Sequence, residues 1–248
     1  MRELDPSPHL LSPVTVVGAG RLGSAIAPAL REAGVEVRGP LARGAGIGAG
    51  IVLLCVSDAA ITEVAAAVPA GALVGHCSGA TGLSALGQHE AFSLHPLLTV
   101  TPGRPAAFGG AGAAVAGSTP RALAVARALA SALGMRAVEV ADEDRVAYHA
   151  AASIAANFLT TIEGAAERVG ATAGVDRELL VPLVRAAVDN WSRLGARAAL
   201  TGPIARGDEA IVAAQRSAVA ARTPELLELF DALALATRRL AAGDGSSP

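Results

Sequence analysis

The order of apolar and alanine-rich segments constrains this fold more than any single motif. Residues 13–141 alternate short runs rich in valine and leucine with stretches of helical character, and glycine and proline separate them. Alternating strands and helices build a parallel sheet with helices on both faces. After residue 142 the sequence predicts helices and no convincing strand. We therefore predict an α/β domain over residues 1–141 and an all-α domain over residues 142–248.

The bounds of the individual elements follow from the same pattern. The predicted strands cover residues 13–17, 35–38, 51–56, 73–77, 91–95, 112–116 and 136–140. The predicted helices of the second domain cover residues 144–170, 176–196, 204–221 and 224–241. The tail after them is expected to be disordered.

Composition excludes several classes of function. Of the 248 residues 52% are hydrophobic, yet no apolar run approaches the roughly 20 residues that cross a bilayer. The start, MRELDPSPHLLSP, lacks the basic end and apolar run of a signal peptide, so we expect a cytoplasmic protein. A net charge of −2 without a basic patch argues against nucleic acid as a partner. Cys55 and Cys77 have no metal-ligand spacing, which predicts reduced, buried thiols and no metal site.

The first strand runs into VVGAGRLGSAIAPAL, which places three glycines before a helix. This spacing between a strand and a helix is the fingerprint of a Rossmann-type dinucleotide-binding domain. Gly18 permits the tight turn, Gly20 lets backbone N–H groups approach a pyrophosphate, and Gly23 lets helix and strand pack closely. Arg21 and Leu22 lie in the same loop, where Arg21 helps to hold the pyrophosphate, and the N-terminus of the following helix supplies partial positive charge for the anion. The alternative is a glycine-rich turn that binds no ligand.

The end of the second strand indicates which dinucleotide is bound. Proteins that bind NAD usually carry an acidic residue there, which holds the ribose 2′-hydroxyl. Here the segment reads VEVRGPLARG, so Glu36 lies inside the strand, and Arg38 and then Arg43 follow at its end. Arginine there suits a 2′-phosphate, which favours NADP(H) over NAD(H). The alternative is that both arginines are ordinary surface charges.

Polar residues also follow the next two strands. In sheets of this type, ligands bind outside the carboxyl ends of the strands. The segment LLCVSDAAI places Val56, Ser57 and Asp58 beside the nicotinamide ribose, although Asp58 could instead cap the following helix. The segment GHCSGATG repeats this arrangement with Ser78 and Gly79.

Two histidines are candidates for the chemistry. FSLHPLLTV places His95 at the end of the fifth strand, where it can hydrogen-bond a substrate carbonyl or, alternatively, only a loop carbonyl. In the helix YHAAASIAANFLTTI, at about 100° per residue, one quarter of the circumference carries His149, Ser153, Asn157 and Thr160. This stripe carries no charge over its first three turns, so we expect it to face a polar cleft rather than bulk water.

The segment LTGPIARGDEA interrupts the helical domain. A Gly-Pro turn precedes Arg206 and Asp208, which is typical of a link between two helices. The alternative is a substrate site, in which Thr201, Gly202 and the following helix N-terminus receive an anion.

Together, VVGAGRLGSAIAPAL, LLCVSDAAI, HCSGATGL, SLHPLLTV, YHAAASIAANFLTTI and LTGPIARGD resemble a family of Rossmann-like proteins with a C-terminal helical domain of unknown function, over nearly the whole chain. More distantly, the chain is similar to ketopantoate reductase, pyrroline-5-carboxylate reductase, prephenate dehydrogenase and the 3-hydroxyacid dehydrogenases. The resemblance implies hydride transfer in a cleft between the Rossmann domain and a helical domain like that of 6-phosphogluconate dehydrogenase. It also implies dimers formed through the helices.

One departure from that resemblance concerns the proton donor. Ketopantoate reductase and the hydroxyacid dehydrogenases carry Lys-x-x-x-Asn on the first interdomain helix, and the lysine donates the proton. This chain contains no lysine, and Ser153 stands at the comparable place while Asn157 is retained. A reductase would therefore take its proton from His149 or His95, whose reference pKa lies near 6.5, while Ser153 and Asn157 orient the carbonyl.

These observations predict an NADP(H)-dependent oxidoreductase that transfers hydride to or from a small oxo acid or imine. Ketopantoate is the substrate that the resemblance favours. We expect a homodimer that acts on a small molecule, without nucleic-acid or membrane partners. The missing lysine supports an alternative, namely a dinucleotide-binding regulatory protein without hydride chemistry.

Overall fold

Seven strands form one sheet in the computed structural model, which describes residues 11, 13–42, 45–101 and 103–243. The strands are β1 (Val14–Val17), β2 (Val37–Leu41), β3 (Ile51–Leu54), β4 (Leu73–His76), β5 (Glu90–Leu97), β6 (Gly112–Gly117) and β7 (Arg136–Glu139). Their order across the sheet is β2-β1-β3-β4-β5-β6-β7. All seven predicted strands are therefore present, and the Rossmann-type sheet is confirmed.

The last two strands depart from a fully parallel sheet. The first five strands are parallel, whereas β6 is antiparallel to β5 and β7 is parallel to β6. Parallel neighbours need a long crossover, usually a helix. The described residues between β5 and β6 form no helix, so the chain turns back and β6 runs the opposite way.

Helices cover both faces of the sheet, as predicted. On one face, α1 (Arg21–Glu32) and α3 (Pro120–Ala132) pack on a cluster of buried apolar residues that includes Val14 and Val16. On the other face, α2 (Ile61–Ala66) packs on a cluster that includes Val17. Because successive side chains of a strand point to opposite faces, a strand buried on both sides has a nearly continuous apolar sequence, and in β1 only Thr15 is polar.

The second strand lies further along the chain than predicted. Instead of residues 35–38 it covers Val37–Leu41, so Arg38 is its second residue rather than its end. The side chain of Arg31 donates hydrogen bonds to the carbonyl oxygens of Val37 and Gly39, and Leu41 pairs with Val17 of β1, so the strand continues beyond Arg38. Arg43, the other predicted ligand of a 2′-phosphate, lies outside the described residues, as does the predicted tail from residue 244.

The remaining helices follow β7. They are α4 (Arg145–Ser153), α5 (Leu159–Ala171), α6 (Arg177–Leu194), α7 (Ala196–Ala199), α8 (Glu209–Arg222) and α9 (Leu227–Ala242). A π-helical turn over Ile154–Phe158 divides the long helix that was predicted over residues 144–170. The chain forms two compact units, Met1–Ala156 and Asn157–Pro248, so α4 belongs to the unit that contains the sheet. Among the described residues, no helix combines the length and apolar character needed to cross a membrane.

Candidate active site

The glycine loop between β1 and α1 is built on two close backbone contacts. Gly18 has φ +113°, and a Cβ atom there would lie 2.3 Å from the carbonyl oxygen of Cys55. A Cβ atom on Gly23 would lie 1.8 Å from the carbonyl oxygen of Gly18. Only glycine fits at either position, so the structure supports the tight turn and the close packing of helix on strand that the sequence indicates.

Gly20 has a different environment from the other two glycines of the loop. It is the N-cap of α1, with φ −74°, and no atom lies within 4 Å of the position that its Cβ would take. The first turn of α1 contains no acidic residue. The first N–H groups of a helix have no partner within the helix and carry its positive end. The loop therefore presents an open surface at Gly20 that faces the positive end of the helix.

A cleft of about 550 Å³ lies beside this surface. Its walls are the glycine loop with α1 on one side and the segment after β5 on the other. Arg21 and Arg104 both line it, together with the hydroxyl-bearing residues Ser24 and Thr101. Two guanidinium groups and a helix N-terminus make this cleft suitable for a phosphorylated ligand. The side chain of Leu22, by contrast, packs against the hydrophobic core.

The sequence analysis did not identify Arg104. The signal was available, because TPGRP places a basic residue in a segment rich in proline and glycine shortly after the fifth strand. Nothing in the pattern of strands and helices, however, indicates that this segment lies across from the glycine loop.

The residues after β3 lie at the same carboxyl edge as the loop. Val56 contacts the turn, since its Cγ1 atom is 3.2 Å from the Cβ position of Gly18. Ser57 and Asp58 are exposed. The N-cap of α2 is Ala60, so Asp58 does not cap that helix and instead begins a short 3₁₀ turn, Asp58–Ala60. Its carboxylate remains available to the site.

Ser78 and Gly79, after β4, have different roles. The Ser78 hydroxyl accepts hydrogen bonds from the N–H groups of Ala80 at 3.2 Å and Thr81 at 3.0 Å, so it shapes its own turn. Gly79 separates two imidazole rings. A Cβ atom there would lie 2.8 Å from His95 Cε1 and 2.8 Å from His149 Cδ2. Any larger residue would push the two rings apart.

Both candidate histidines therefore meet at Gly79. His95 lies on β5 and His149 on α4, and their ring centroids are 6.1 Å apart. A third group joins them, because Tyr148 Oη lies 2.8 Å from His95 Nδ1 and the two rings stand at 89°. Tyr148 is missing from the predicted stripe. The helical spacing that selected His149 places its neighbour about 100° away, on another face.

A buried arginine holds this cluster in place. Arg145 on α4 is 1% exposed, and its Nε donates to the Asp142 carboxylate at 2.7 Å. The same guanidinium donates to the Ser93 hydroxyl on β5 and to the Ser78 carbonyl after β4. It thereby joins α4 to β5, which carries His95, and to the segment after β4, which carries Gly79. The sequence analysis missed it, since a charged residue on an exposed-looking helix gives no sign of burial.

Burial and neighbouring positive charge change the acid–base properties of the cluster. The pKa of His95 is lowered to about 4, mainly by burial and then by His149 and Arg145, against the opposing effect of Asp58. His95 is therefore neutral at pH 7, and its pKa lies well below the reference value near 6.5. Burial raises the pKa of Tyr148, while Arg145 and the Ala114 backbone oppose this. The phenol is therefore protonated at pH 7.

His76 makes the stability of the fold depend on pH. This fully buried ring on β4 has its pKa lowered from 6.5 to about 4 by burial and then by Arg145. From pH 6.5 down to 4 the unfolded chain binds a proton that the folded chain does not, so acid lowers the free energy of unfolding. The shift corresponds to about 3 kcal/mol, and His95 acts in the same direction.

We expect His76→Asn to flatten the pH dependence of stability between pH 6.5 and 4, as measured by urea unfolding. The matched control is His89→Asn, which removes a histidine whose Nε2 bonds the Ala65 carbonyl at 3.0 Å. That variant should keep the wild-type slope. Equal slopes for the wild type and His76→Asn would contradict the assignment.

The other predicted residues are found on α4 and beyond it. Ser153, the last residue of α4, is half-buried, and Asn157 is exposed within the π-helical turn. A π turn holds more residues than an α turn, so the spacing that aligned His149 with Asn157 and Thr160 does not apply across it. The catalytic roles of Ser153 and Asn157 stay predictions.

The predicted substrate residues of the helical unit form a turn before α8. Asp208 caps α8, accepting a hydrogen bond from the Ile211 N–H at 3.4 Å. Gly202 has φ +91°, and its carbonyl accepts from the Arg206 N–H at 3.3 Å. Thr201 is exposed. These contacts describe a helix–helix link, and a role in substrate binding stays a prediction.

No group of three or more histidine, cysteine, aspartate or glutamate residues in the described part of the chain could hold a metal ion. Cys55 and Cys77 are buried with free thiols, and their Sγ atoms lie 3.7 Å apart.

The family model described as "Domain of unknown function (DUF2520)" matches residues 112–237, slightly more than half of the chain. This match confirms the predicted resemblance to a family of unknown function. No curated protein is similar enough to the chain to count as a match.

Three solved structures are similar over almost the entire chain. A Bacteroides fragilis protein, provisionally described as an NADP oxidoreductase, has a TM-score of 0.80 at 21% identity, covering 93% of this chain and 99% of its own. A Thermotoga maritima protein has a TM-score of 0.72 at 23% identity, with 94% and 100% covered. The 1-pyrroline-5-carboxylate reductase of Streptococcus pyogenes has a TM-score of 0.61 at 13% identity, with 91% and 98% covered. These likenesses show a shared fold.

Proposed function

This chain belongs to the family described as "Domain of unknown function (DUF2520)", and from that premise we propose that it is an NADP(H)-dependent oxidoreductase. It transfers hydride to or from a small oxo acid or imine. Ketopantoate is the first candidate substrate, by resemblance. The shared fold with a pyrroline-carboxylate reductase supports the imine as the other candidate.

One observation carries this proposal: a dinucleotide cradle and groups that handle protons lie at the same edge of one sheet. β1, β3, β4 and β5 are parallel, so their carboxyl ends share an edge. The glycine loop follows β1, Gly79 lies beyond β4, and His95 lies near the end of β5. Ligands of such sheets bind outside this edge.

The residues of the glycine loop fit a dinucleotide. Gly20 leaves open the space that a Cβ would fill, and Arg21 and Arg104 line the adjoining cleft. These groups bind the diphosphate, and when bound the cofactor supplies a hydride from its nicotinamide ring. Ser153 and Asn157 keep their predicted role in orienting the carbonyl.

The proposal includes a preference for NADP(H) over NAD(H). Its support in the sequence is Arg43 and, less directly, Arg38. Arg38 is exposed on β2, but it lies before the end of that strand. A test that compares the two cofactors is therefore needed.

We also propose that the protein is a cytoplasmic homodimer, without nucleic-acid or membrane partners. On α6, Leu179, Leu183 and Leu194 are 65%, 68% and 59% exposed. Their spacings of four and eleven residues put them on one face of the helix, and contiguous exposed apolar surface is typical of protein interfaces. Sedimentation velocity tests the proposed dimer, and a monomer at micromolar concentration would contradict it.

The absence of lysine favours a second candidate, a dinucleotide-binding regulatory protein without hydride chemistry. Such a protein would bind NADPH as tightly as the enzyme does but would consume none with any oxo acid or imine.

Thermal unfolding with NADPH, with NADH and without ligand tests the proposal. A ligand at one hundred times its Kd adds about 2.7 kcal/mol to the free energy of unfolding, so we expect NADPH to raise Tm by about 5–10 °C. NADH should raise it less. No shift with either nucleotide, in protein purified free of nucleotide, would contradict the proposal.

A further inference from the structure

We propose that Tyr148 and His95 form a proton relay, in which the Tyr148 hydroxyl donates to His95 Nδ1 and His95 Nε2–H is the donor to a carbonyl or imine substrate. This inference rests on the proposed function, because it assigns the proton that must accompany the hydride. It replaces the missing lysine with two residues from different elements, β5 and α4.

The contact between the two side chains is direct. Tyr148 Oη and His95 Nδ1 are 2.8 Å apart, which is the distance of a good hydrogen bond. The rings meet edge to face, with centroids 5.5 Å apart and planes at 89°. Both residues lie in the unit that contains the sheet, so the pair is formed by that unit alone.

The neutral pair permits a hydrogen bond in either direction, and the proposal assigns the donor role to the phenol. A neutral imidazole carries one N–H, and a protonated phenol carries one O–H. When the phenol donates to Nδ1, the imidazole proton must reside on Nε2. His95 Nε2 has no hydrogen-bond partner among the described residues, and the ring is only partly buried. This N–H therefore remains available to a substrate.

The surroundings hold the relay in one geometry. The His95 ring lies against Gly79, where an added Cβ would be 2.8 Å from its Cε1 atom, so any side chain at this position would displace the imidazole. The charged and titratable groups that act on His95 are His149 and Arg145 from α4 and Asp58 after β3. Arg145 also acts on Tyr148, where its positive charge favours the tyrosinate.

The proposed reaction is the reduction of a carbonyl or imine, and its protons and electrons balance. A bound nicotinamide cofactor would supply the hydride to the carbonyl or imine carbon, and the π electrons of that bond would move to its oxygen or nitrogen. That atom takes the proton from His95 Nε2, and His95 Nδ1 takes the proton from Tyr148. The tyrosinate that remains lies under the influence of Arg145, and water returns a proton to it. At neutral pH the uncharged imidazole carries its Nε2–H and the phenol carries its O–H, so the relay is poised to donate.

Nitrogen-15 spectra of histidine-labelled protein test the relay without any substrate. In the wild type we expect His95, identified by its loss in His95→Gln, to carry its proton on Nε2 and to have an unprotonated, hydrogen-bonded Nδ1. In Tyr148→Phe the Nδ1 signal should shift towards that of a nitrogen without a donor. His89 provides an internal control, since its partner is Ala65. A protonated Nδ1 in the wild type, or an unchanged signal in Tyr148→Phe, would overturn the relay.

Kinetics separates failure of the relay from failure of the proposed function. With ketopantoate or 1-pyrroline-5-carboxylate as substrate, we expect Tyr148→Phe to lower kcat about 100-fold while the Kd for NADPH changes less than twofold. His95→Gln should have a similar effect, and the double variant should lose little more, since residues that act as a unit are not additive. Full activity in Tyr148→Phe overturns the relay. Absence of NADPH binding in the wild type overturns the proposed function. The nitrogen-15 spectra test the hydrogen bond between Tyr148 and His95 in either case.

Discussion

Gly20→Asp is expected to weaken NADPH binding at least 100-fold while the protein remains folded and at least as stable as the wild type. The added side chain meets no atom within 4 Å at its Cβ, and the backbone at φ −74° suits any residue. Aspartate is also a better N-cap than glycine, by a few tenths of a kcal/mol. Its carboxylate would accept hydrogen bonds from the N–H groups at the start of α1, where we place the diphosphate. Its negative charge would also repel the phosphates.

This test is decisive because NADPH affinity and folding stability are measured separately. NADPH fluorescence titration gives Kd, and urea unfolding without ligand gives stability. The matched control is Gly164→Asp, which adds the same charge on α5 at an exposed glycine whose Cβ position is also free of neighbours. It should bind NADPH normally. Wild-type affinity in Gly20→Asp would rule out the glycine loop as the diphosphate site.

Arg145→Met is expected to lower the free energy of unfolding by about 3 kcal/mol, because two buried groups lose a hydrogen-bond donor at a cost of about 1–3 kcal/mol each. The guanidinium is 1% exposed and joins Asp142, Ser93 and the Ser78 carbonyl. Without it, the Ser93 hydroxyl and the Ser78 carbonyl lose a donor in a buried place. Tm should fall by about 10 °C.

Arg127→Met is the control for this loss. Arg127 pairs with Glu139 at 2.9 Å, and the two side chains are 56% and 55% exposed. Exposed pairs contribute about 0–1 kcal/mol, so this variant should unfold near the wild-type urea concentration. If Arg145→Met were equally harmless, Arg145 would not be the residue that holds α4 against the strand ends.

The elements that follow simple periodicity were predictable. Unbroken apolar runs such as Ile51–Leu54 mark strands buried on both faces, and the glycine spacing fixed the nature of the first turn. The antiparallel β6 was not predicted, because the sequence signals strands more clearly than it signals their direction. The π-helical turn at Ile154–Phe158 was also missed, since it has no distinct sequence signal.

The sequence predicted site residues that lie at or after the ends of strands. It missed residues whose place in the site depends on tertiary contacts. His95 and Gly79 come together because the carboxyl ends of neighbouring parallel strands meet at one edge. Tyr148, Arg145 and Arg104 were missed, because each acts through a contact with residues distant in sequence. Burial, which sets the pKa of His95, is likewise a property of the fold and not of local sequence.

The most direct test of the account is a crystal structure of the NADPH complex. We expect the diphosphate on the N–H groups at the start of α1, next to Gly20 and Arg21, and the nicotinamide at the strand ends that carry Gly79 and His95. A nucleotide bound elsewhere, or one whose nicotinamide points away from His95, would contradict it.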